Sequence, residues 1–167
     1  CQGLADALTM REHLGETVGK RFVLMWAWHP KALPTAVPAS AALAAAHLGM
    51  EVTIARPAGF DLDPDDYLAI ETLAGSRGGS LRITDDLDGA LDGAHAVYTK
   101  AWGSLAHFGK PDQERALREG KRDWRLTQAR MRTTEAERGI ALHCLPVRRN
   151  VEIDGEVLDG PNSVVVD

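Results

Sequence analysis

The 167 residues are 44% hydrophobic and 26% charged, with 24 acidic against 19 basic side chains and a net charge of −5. That length suits one domain, or two very small ones, with enough chain to bury a core, and ordinary fractions of this kind exclude a disordered tail, a collagen-like fibre and a coiled coil. Two cysteines are too few for a disulfide framework, the acidic balance gives no nucleic-acid footprint, and no apolar run approaches the ~20 residues that span a bilayer. A reducing cytoplasm is the expected setting. No signal peptide opens the chain and its first residue is Cys1 rather than Met, so it is expected to be a piece of something longer.

In chain order, residues 4–14 read as a helix with Leu4, Ala7, Leu8 and Leu14 on one face. The first β-rich run is Arg21–Trp26 (RFVLMW). An Ala-rich helix over residues 35–48 follows, with Thr35 as N-cap, Pro38 in the first turn and Gly49 as C-cap. Glu51–Ala55 (EVTIA) is the second strand, and residues 64–74 form a helix capped by Asp63, opened by Pro64 and carrying carboxylates in its first turn. Ser80–Thr84 (SLRIT) is the third strand, Leu87–Leu91 a short helix approached through Asp85 or Asp86, and residues 95–99 (HAVYT) the fourth strand. Residues 140–144 (IALHC) and 163–166 (SVVV) are further strand candidates. Nearly continuous apolar strands alternating with helices predict an α/β fold: a doubly wound, mainly parallel sheet with helices on both faces.

Charge is uneven. Residues 61–92 hold nine acids and two bases, and residues 110–138 hold nine bases and six acids. The basic stretch lacks a recognition motif and reads as a solvated helical segment rather than a nucleic-acid surface.

In open α/β sheets, ligands bind beyond the carboxyl ends of the strands. Those positions here supply Trp28-His29-Pro30-Lys31, Lys100-Ala101-Trp102-Gly103, and His143-Cys144-Leu145-Pro146-Val147-Arg148-Arg149-Asn150. Two lysines, two arginines and two histidines at three strand ends suit a crevice for an anionic small molecule. Singly, each has a plainer reading: loop lysines, hydrogen-bonded histidines, packing tryptophans, a small buried cysteine and a surface Arg pair. No GxGxxG follows the first strand, and there is no GxxxxGK[ST], no GxSxG and no zinc-ligand spacing. A nucleotide-binding dehydrogenase domain is therefore the weaker alternative.

His143-Cys144-Leu145-Pro146 resembles the HCLP signature of the ornithine-type enzymes of the aspartate/ornithine carbamoyltransferase superfamily. Cys1-Gln2-Gly3-Leu4-Ala5-Asp6 resembles the residues after His-Pro in that family's HPxQxLAD motif, some 140 residues upstream and in the same order. The resemblance covers residues 1–167 and implies a Rossmann-like, C-terminal ornithine-binding domain, with the carbamoyl-phosphate domain upstream of residue 1. Ornithine enzymes carry an Asp and Ser-Met-Gly after the fourth strand, where Tyr98-Thr99-Lys100-Ala101-Trp102-Gly103 stands here. That segment, Trp26-Ala27-Trp28-His29-Pro30-Lys31 and the stretch from Leu145 to Val151 resemble the N-acetylornithine branch, with succinylornithine enzymes as near relatives. Acylation removes the charge of the α-amine; an Asp would then repel the remaining carboxylate, whereas Lys100 can pair with it.

The resemblance implies transfer of the carbamoyl group from carbamoyl phosphate to the δ-amine of N-acetyl-L-ornithine, with no metal or organic cofactor, in a cytoplasmic homotrimer of arginine biosynthesis. It assigns Cys144 and Leu145 to the reacting centre, partly through backbone groups, and Cys1 and Gln2 to the carbamoyl pocket. Lys100 would bind the acylornithine carboxylate, and His29, Lys31 and Arg148 would be further substrate-binding residues. Cys144 is not expected to act as a covalent nucleophile, because direct transfer needs none. Several family features are missing: there is no STRTR phosphate motif, no Arg beyond the last strand, and Glu152 stands where acetylornithine enzymes carry a lysine that can be carboxylated. Glu152 either mimics that anion or is a surface glutamate. The alternatives to the acetylornithine reading are an ornithine or succinylornithine enzyme, or a non-catalytic amino-acid-binding domain of the same fold.

Overall fold

The computed structural model describes residues 2–135 and 138–165, so Cys1 and the end of the 163–166 run lie outside the described residues. Five strands, β1 (Arg21–Trp26), β2 (Glu51–Ala55), β3 (Ser80–Thr84), β4 (Ala96–Lys100) and β5 (Ile140–Leu142), form one sheet in the order β3-β2-β1-β4-β5. Every pairing is parallel, with Met25 beside Thr99 and Trp26 beside Lys100 at the end of the central pair. Among the described residues seven helices accompany the sheet: α1 (Gln2–Leu14), α2 (Ala36–His47), α3 (Pro64–Ser76), α4 (Leu87–Leu91), α5 (Pro111–Glu119), α6 (Gln128–Met131) and α7 (Gly155–Leu158). A single 3₁₀ turn, Leu105–His107, interrupts the connection from β4 to α5.

The predicted doubly wound α/β architecture is the observed one. From β1 the chain steps outward through α2 and α3 to the edge strand β3, then returns through α4 to lay β4 on the other side of β1. Right-handed crossovers running in opposite directions put their helices on opposite faces. Accordingly α1 packs on α2 and α2 on α3, while α4 packs against β1, β2 and α6. The strands sort as their neighbours require: Phe22–Trp26 and all of β4 and β5 are buried, whereas β3, paired on one side only, leaves Ser80, Arg82 and Ile83 exposed.

Helix α2 fits between α1, α3 and the sheet because five of its alanines are buried with little bulk to accommodate. Thr35 occupies its N-cap position but makes no side-chain cap bond. Leu48 is the C-cap and Gly49, at φ +70°, makes the left-handed turn one residue later, which only glycine enters freely. Asp63 and Asp86 cap α3 and α4 as expected, accepting from the Asp65 and Gly89 amides.

Three expectations are corrected. In α1 the buried residues are Asp6 and Met10, and the apolar set does not form one buried face: Leu4 and Leu8 are exposed, Ala7 is half-buried and Leu14 packs half-buried against the core. The fifth strand ends at Leu142, because the His143 ring folds back to accept the Leu145 amide and breaks the ladder; from the 163–166 run, Ser163 makes a single bridge to Ala141. The basic stretch is not simply solvated: Glu114, Arg118, Trp124, Leu126 and Met131 are buried. No helix among the described residues is long and apolar enough to cross a membrane.

Candidate functional site

The winding reverses between β1 and β4, and the carboxyl ends of those strands open the crevice where such sheets bind ligands. Lys100 is the last residue of β4, held opposite Trp26 and only 9% exposed. Its carbonyl accepts from the Ala27 amide, which welds the start of the β1–α2 loop to the start of the β4–α5 loop. Next door, β5 delivers His143, Cys144 and Leu145.

The β5 loop is organised by His143. Its Nδ1 accepts the Leu145 amide at 3.0 Å, so the ring proton sits on Nε2, which faces Glu152 Oε1 at 3.6 Å. Glu152 is 2% exposed, and its other oxygen accepts the Arg148 amide at 2.9 Å. The surface-glutamate reading is thereby overturned. Burial pushes this carboxyl up, but His143, the Arg148 amide and the nearby Lys100 ammonium outweigh it and hold the group below the ordinary glutamate range. Leu145 takes φ +46°, a region a branched side chain adopts only where its surroundings impose it, and its side chain projects half-exposed into the crevice rim.

Helix α1 closes the other side. Gln2 Nε2 donates to Asp6 Oδ1 at 2.8 Å across one turn, and Asp6 is buried against Tyr98 of β4. Burial pushes the Asp6 carboxyl above its ordinary value, with Gln2, Tyr98 and His143 pulling the other way. The Tyr98 phenol is raised by burial and by its neighbours Asp6 and Cys144. Gln2, Asp6, Tyr98, Cys144, His143, Glu152 and Lys100 thus form a polar cluster whose members act on one another's charges, with few direct hydrogen bonds between them.

Of the residues singled out from sequence, the structure brings Gln2, Lys100 and Cys144 into this cluster, with Leu145 at its rim. Arg148 contributes its backbone amide, and its side chain is exposed. Arg149 is spoken for by Asp159, which it grips through two bonds of 2.6 and 2.9 Å. His29 is buried with Nδ1 3.0 Å from the Lys31 amide, the same turn that His143 makes with Leu145. Lys31 is exposed and lines a cavity of about 650 Å³ between the β1–α2 and β4–α5 loops. Sequence reasoning missed Asp6, Tyr98 and the buried Glu114–Arg118 pair. The first was signalled by its i,i+4 spacing from Gln2 and the last by the same spacing in α5. Among the described residues no three His, Cys, Asp or Glu side chains group as a metal site.

Such a cluster can hold a carboxylate on Lys100 and present an amide from Gln2. The family described as "Aspartate/ornithine carbamoyltransferase, Asp/Orn binding domain" matches residues 28–167, and the chain belongs to it. Its similarity is to the acetylornithine members in particular. The N-acetylornithine carbamoyltransferase of Xanthomonas campestris pv. campestris is 40% identical over the whole chain, which spans 50% of that protein. The ornithine carbamoyltransferase of Methanobrevibacter smithii is 33% identical, with 52% of its length covered. A crystal structure of acetylornithine transcarbamylase complexed with acetylcitrulline superposes with a TM-score of 0.96 at 38% identity, covering 99% of this chain and 50% of that one. The chain thus spans about half the length of the relatives it matches.

Proposed function

We propose that residues 1–167 are the amino-acid-binding half of an N-acetylornithine carbamoyltransferase, the enzyme that converts carbamoyl phosphate and N-acetyl-L-ornithine to N-acetyl-L-citrulline and phosphate in arginine biosynthesis. The observation that carries the reading is Lys100, a buried lysine at the switch point, near Glu152 but with no ion-pair partner among the described residues. It supplies a positive charge where an acylated substrate offers only a carboxylate. The solved relative in complex with acetylcitrulline, and a mutant of N-acetyl-L-ornithine transcarbamylase in complex with carbamyl phosphate and N-succinyl-L-norvaline, support that substrate class.

In this reading the neutral δ-amine attacks the carbamoyl carbon, a nitrogen–carbon bond forms, and the carbon–oxygen bond to phosphate breaks as the amine's proton passes to the departing phosphate. The protein's part is orientation and charge placement. Gln2 Nε2 is held by Asp6, which leaves Gln2 Oε1 to accept from the carbamoyl NH₂. Leu145 and Cys144 line the reacting centre, Lys100 anchors the carboxylate, and His29, Lys31 and Arg148 surround the amino-acid end. The family resemblance assigns Cys1 to the same carbamoyl group. The phosphate grip belongs to a second domain, the whole works as a cytoplasmic homotrimer, and no cofactor takes part.

The test is a substrate panel on the protein that joins this chain to a carbamoyl-phosphate-binding domain. With carbamoyl phosphate present, N-acetyl-L-ornithine is expected to be carbamoylated in preference to N-succinyl-L-ornithine and free ornithine. A preference for free ornithine would sink the Lys100 argument.

A further inference from the structure

A Glu–Arg pair four residues apart on a surface helix is ordinarily solvated and contributes little. In α5 the pair Glu114–Arg118 is buried, the two side chains being 6% and 4% exposed. Taking both charges out of water is costly, and an apolar pair of the same volume stabilises a fold at least as well. What an apolar pair cannot do is hold polar backbone at two other places. Arg118 Nη2 meets Glu114 Oε2, Arg118 Nη1 donates to the His29 carbonyl at 3.0 Å, and Glu114 Oε1 accepts the Ser104 amide at 3.4 Å. One ion pair therefore clasps the loop after β1 and the loop after β4. Between its two anchor points the loops are also joined directly, Gly103 donating to the Leu33 carbonyl at 2.8 Å. His29 in turn fixes the Lys31 amide, and Ser104 lies four residues after Lys100.

We propose that Glu114 and Arg118 are positioning residues of the amino-acid site: through His29 and Ser104 they set the separation of the loops that carry Lys31 and Lys100. Neither touches substrate. The proposal builds on the carbamoyltransferase reading, and two readouts separate the fate of one from the other.

The decisive variant is the double substitution Glu114→Leu, Arg118→Met, which keeps volume and removes the clasp. It is made in the protein that joins this chain to its carbamoyl-phosphate domain. Amide hydrogen exchange at Lys31 and Ser104 is expected to accelerate at least tenfold while exchange in β1 and β4 stays as in the parent. The KM for N-acetyl-L-ornithine is expected to rise at least tenfold, with the KM for carbamoyl phosphate within twofold of the parent. Arg118→Lys, which keeps the charge but not the fork, should fall between. If the double variant does not fold, Glu114→Gln and Arg118→Lys decide by the same two measurements. Loop exchange and acceptor KM both unchanged in a folded variant would overturn the proposal. Faster loop exchange in the double variant of a parent protein that itself carbamoylates nothing would uphold the clasp and discard the enzymatic reading.

Discussion

Glu152 shows how much one residue's surroundings decide. In sequence it stands in VEIDGEV among surface-like neighbours, yet its carboxylate lies under the β5 loop, bonded to the Arg148 amide and facing His143. Its acid form is disfavoured on folding, since its carboxyl sits below the ordinary 4.5 despite burial. A depressed carboxyl stabilises the fold above its unfolded value and loses that contribution as pH falls through the folded one. Glu152→Gln should therefore lower the urea midpoint at pH 7, and the gap from the parent should close as pH drops below about 4.5. A gap that widens in acid would mean that the charge is not what His143 and Arg148 stabilise. Lys100 carries the complementary prediction. Lys100→Ala is expected to raise the KM for N-acetyl-L-ornithine roughly ten- to hundredfold, the loss of one charge-assisted bond of about 1.5–3 kcal/mol, while leaving that for carbamoyl phosphate nearly unchanged. Both residues were legible as chemistry from sequence. What could not be read was burial: nothing in the local spacing of Glu152 says that the chain folds back over it.

Among the elements, those defined by local chemistry were legible and those defined by partners were not. The caps at Asp63 and Asp86 and the boundaries of β1, β2 and β3 follow from neighbouring residues, and they fall where expected. Helix α1 is the counterexample. Its leucines at positions 4 and 8 face outward, and the helix instead buries an aspartate whose partners, Tyr98 of β4 and His143 of the loop after β5, lie far along the chain. In α5 a charged sequence was expected to be solvated and is instead half a clasp, for the same reason: its partners are distant carbonyl and amide groups. The turn after α2 makes a sharper forecast. At Gly49, φ is +70° and a Cβ would stand 2.6 Å from the Arg77 carbonyl oxygen, so neither conformation nor space admits a side chain. Gly49→Ala is expected to cost about 1–3 kcal/mol, read as a lower thermal midpoint, with substrate constants unaffected because the turn lies away from the β1–β4 crevice.

At the scale of the whole molecule, the strand order was open until the connections closed, although alternation alone implied a parallel sheet with ligands at its carboxyl edge. The reversal between β1 and β4 is what turns three separate loops into one site, and Trp26 is the side chain that ties the reversal to the core. It is fully buried, its ring lies 4.6 Å from Phe60 and 6.2 Å from Trp124, and its Nε1 donates to the Trp102 carbonyl at 2.9 Å. Trp102 in turn donates to the Phe60 carbonyl, so the two indoles brace the β1 and β4 loops against the turn after β2. Two losses can be separated here. Trp26→Phe keeps most of the apolar bulk but strands a buried carbonyl, a cost of about 1–3 kcal/mol. Trp26→Ala removes the bulk as well and should cost about 3–5 kcal/mol, a large share of the roughly 5–15 kcal/mol that holds a domain together. Urea unfolding of the parent and both variants should give midpoints in that order. The Phe variant should also weaken N-acetyl-L-ornithine binding more than its modest loss of stability suggests, since the bond it lacks is the one that fixes Trp102, two residues beyond Lys100. Equal stability of the Phe variant and the parent would show that the indole bond holds neither the fold nor the site.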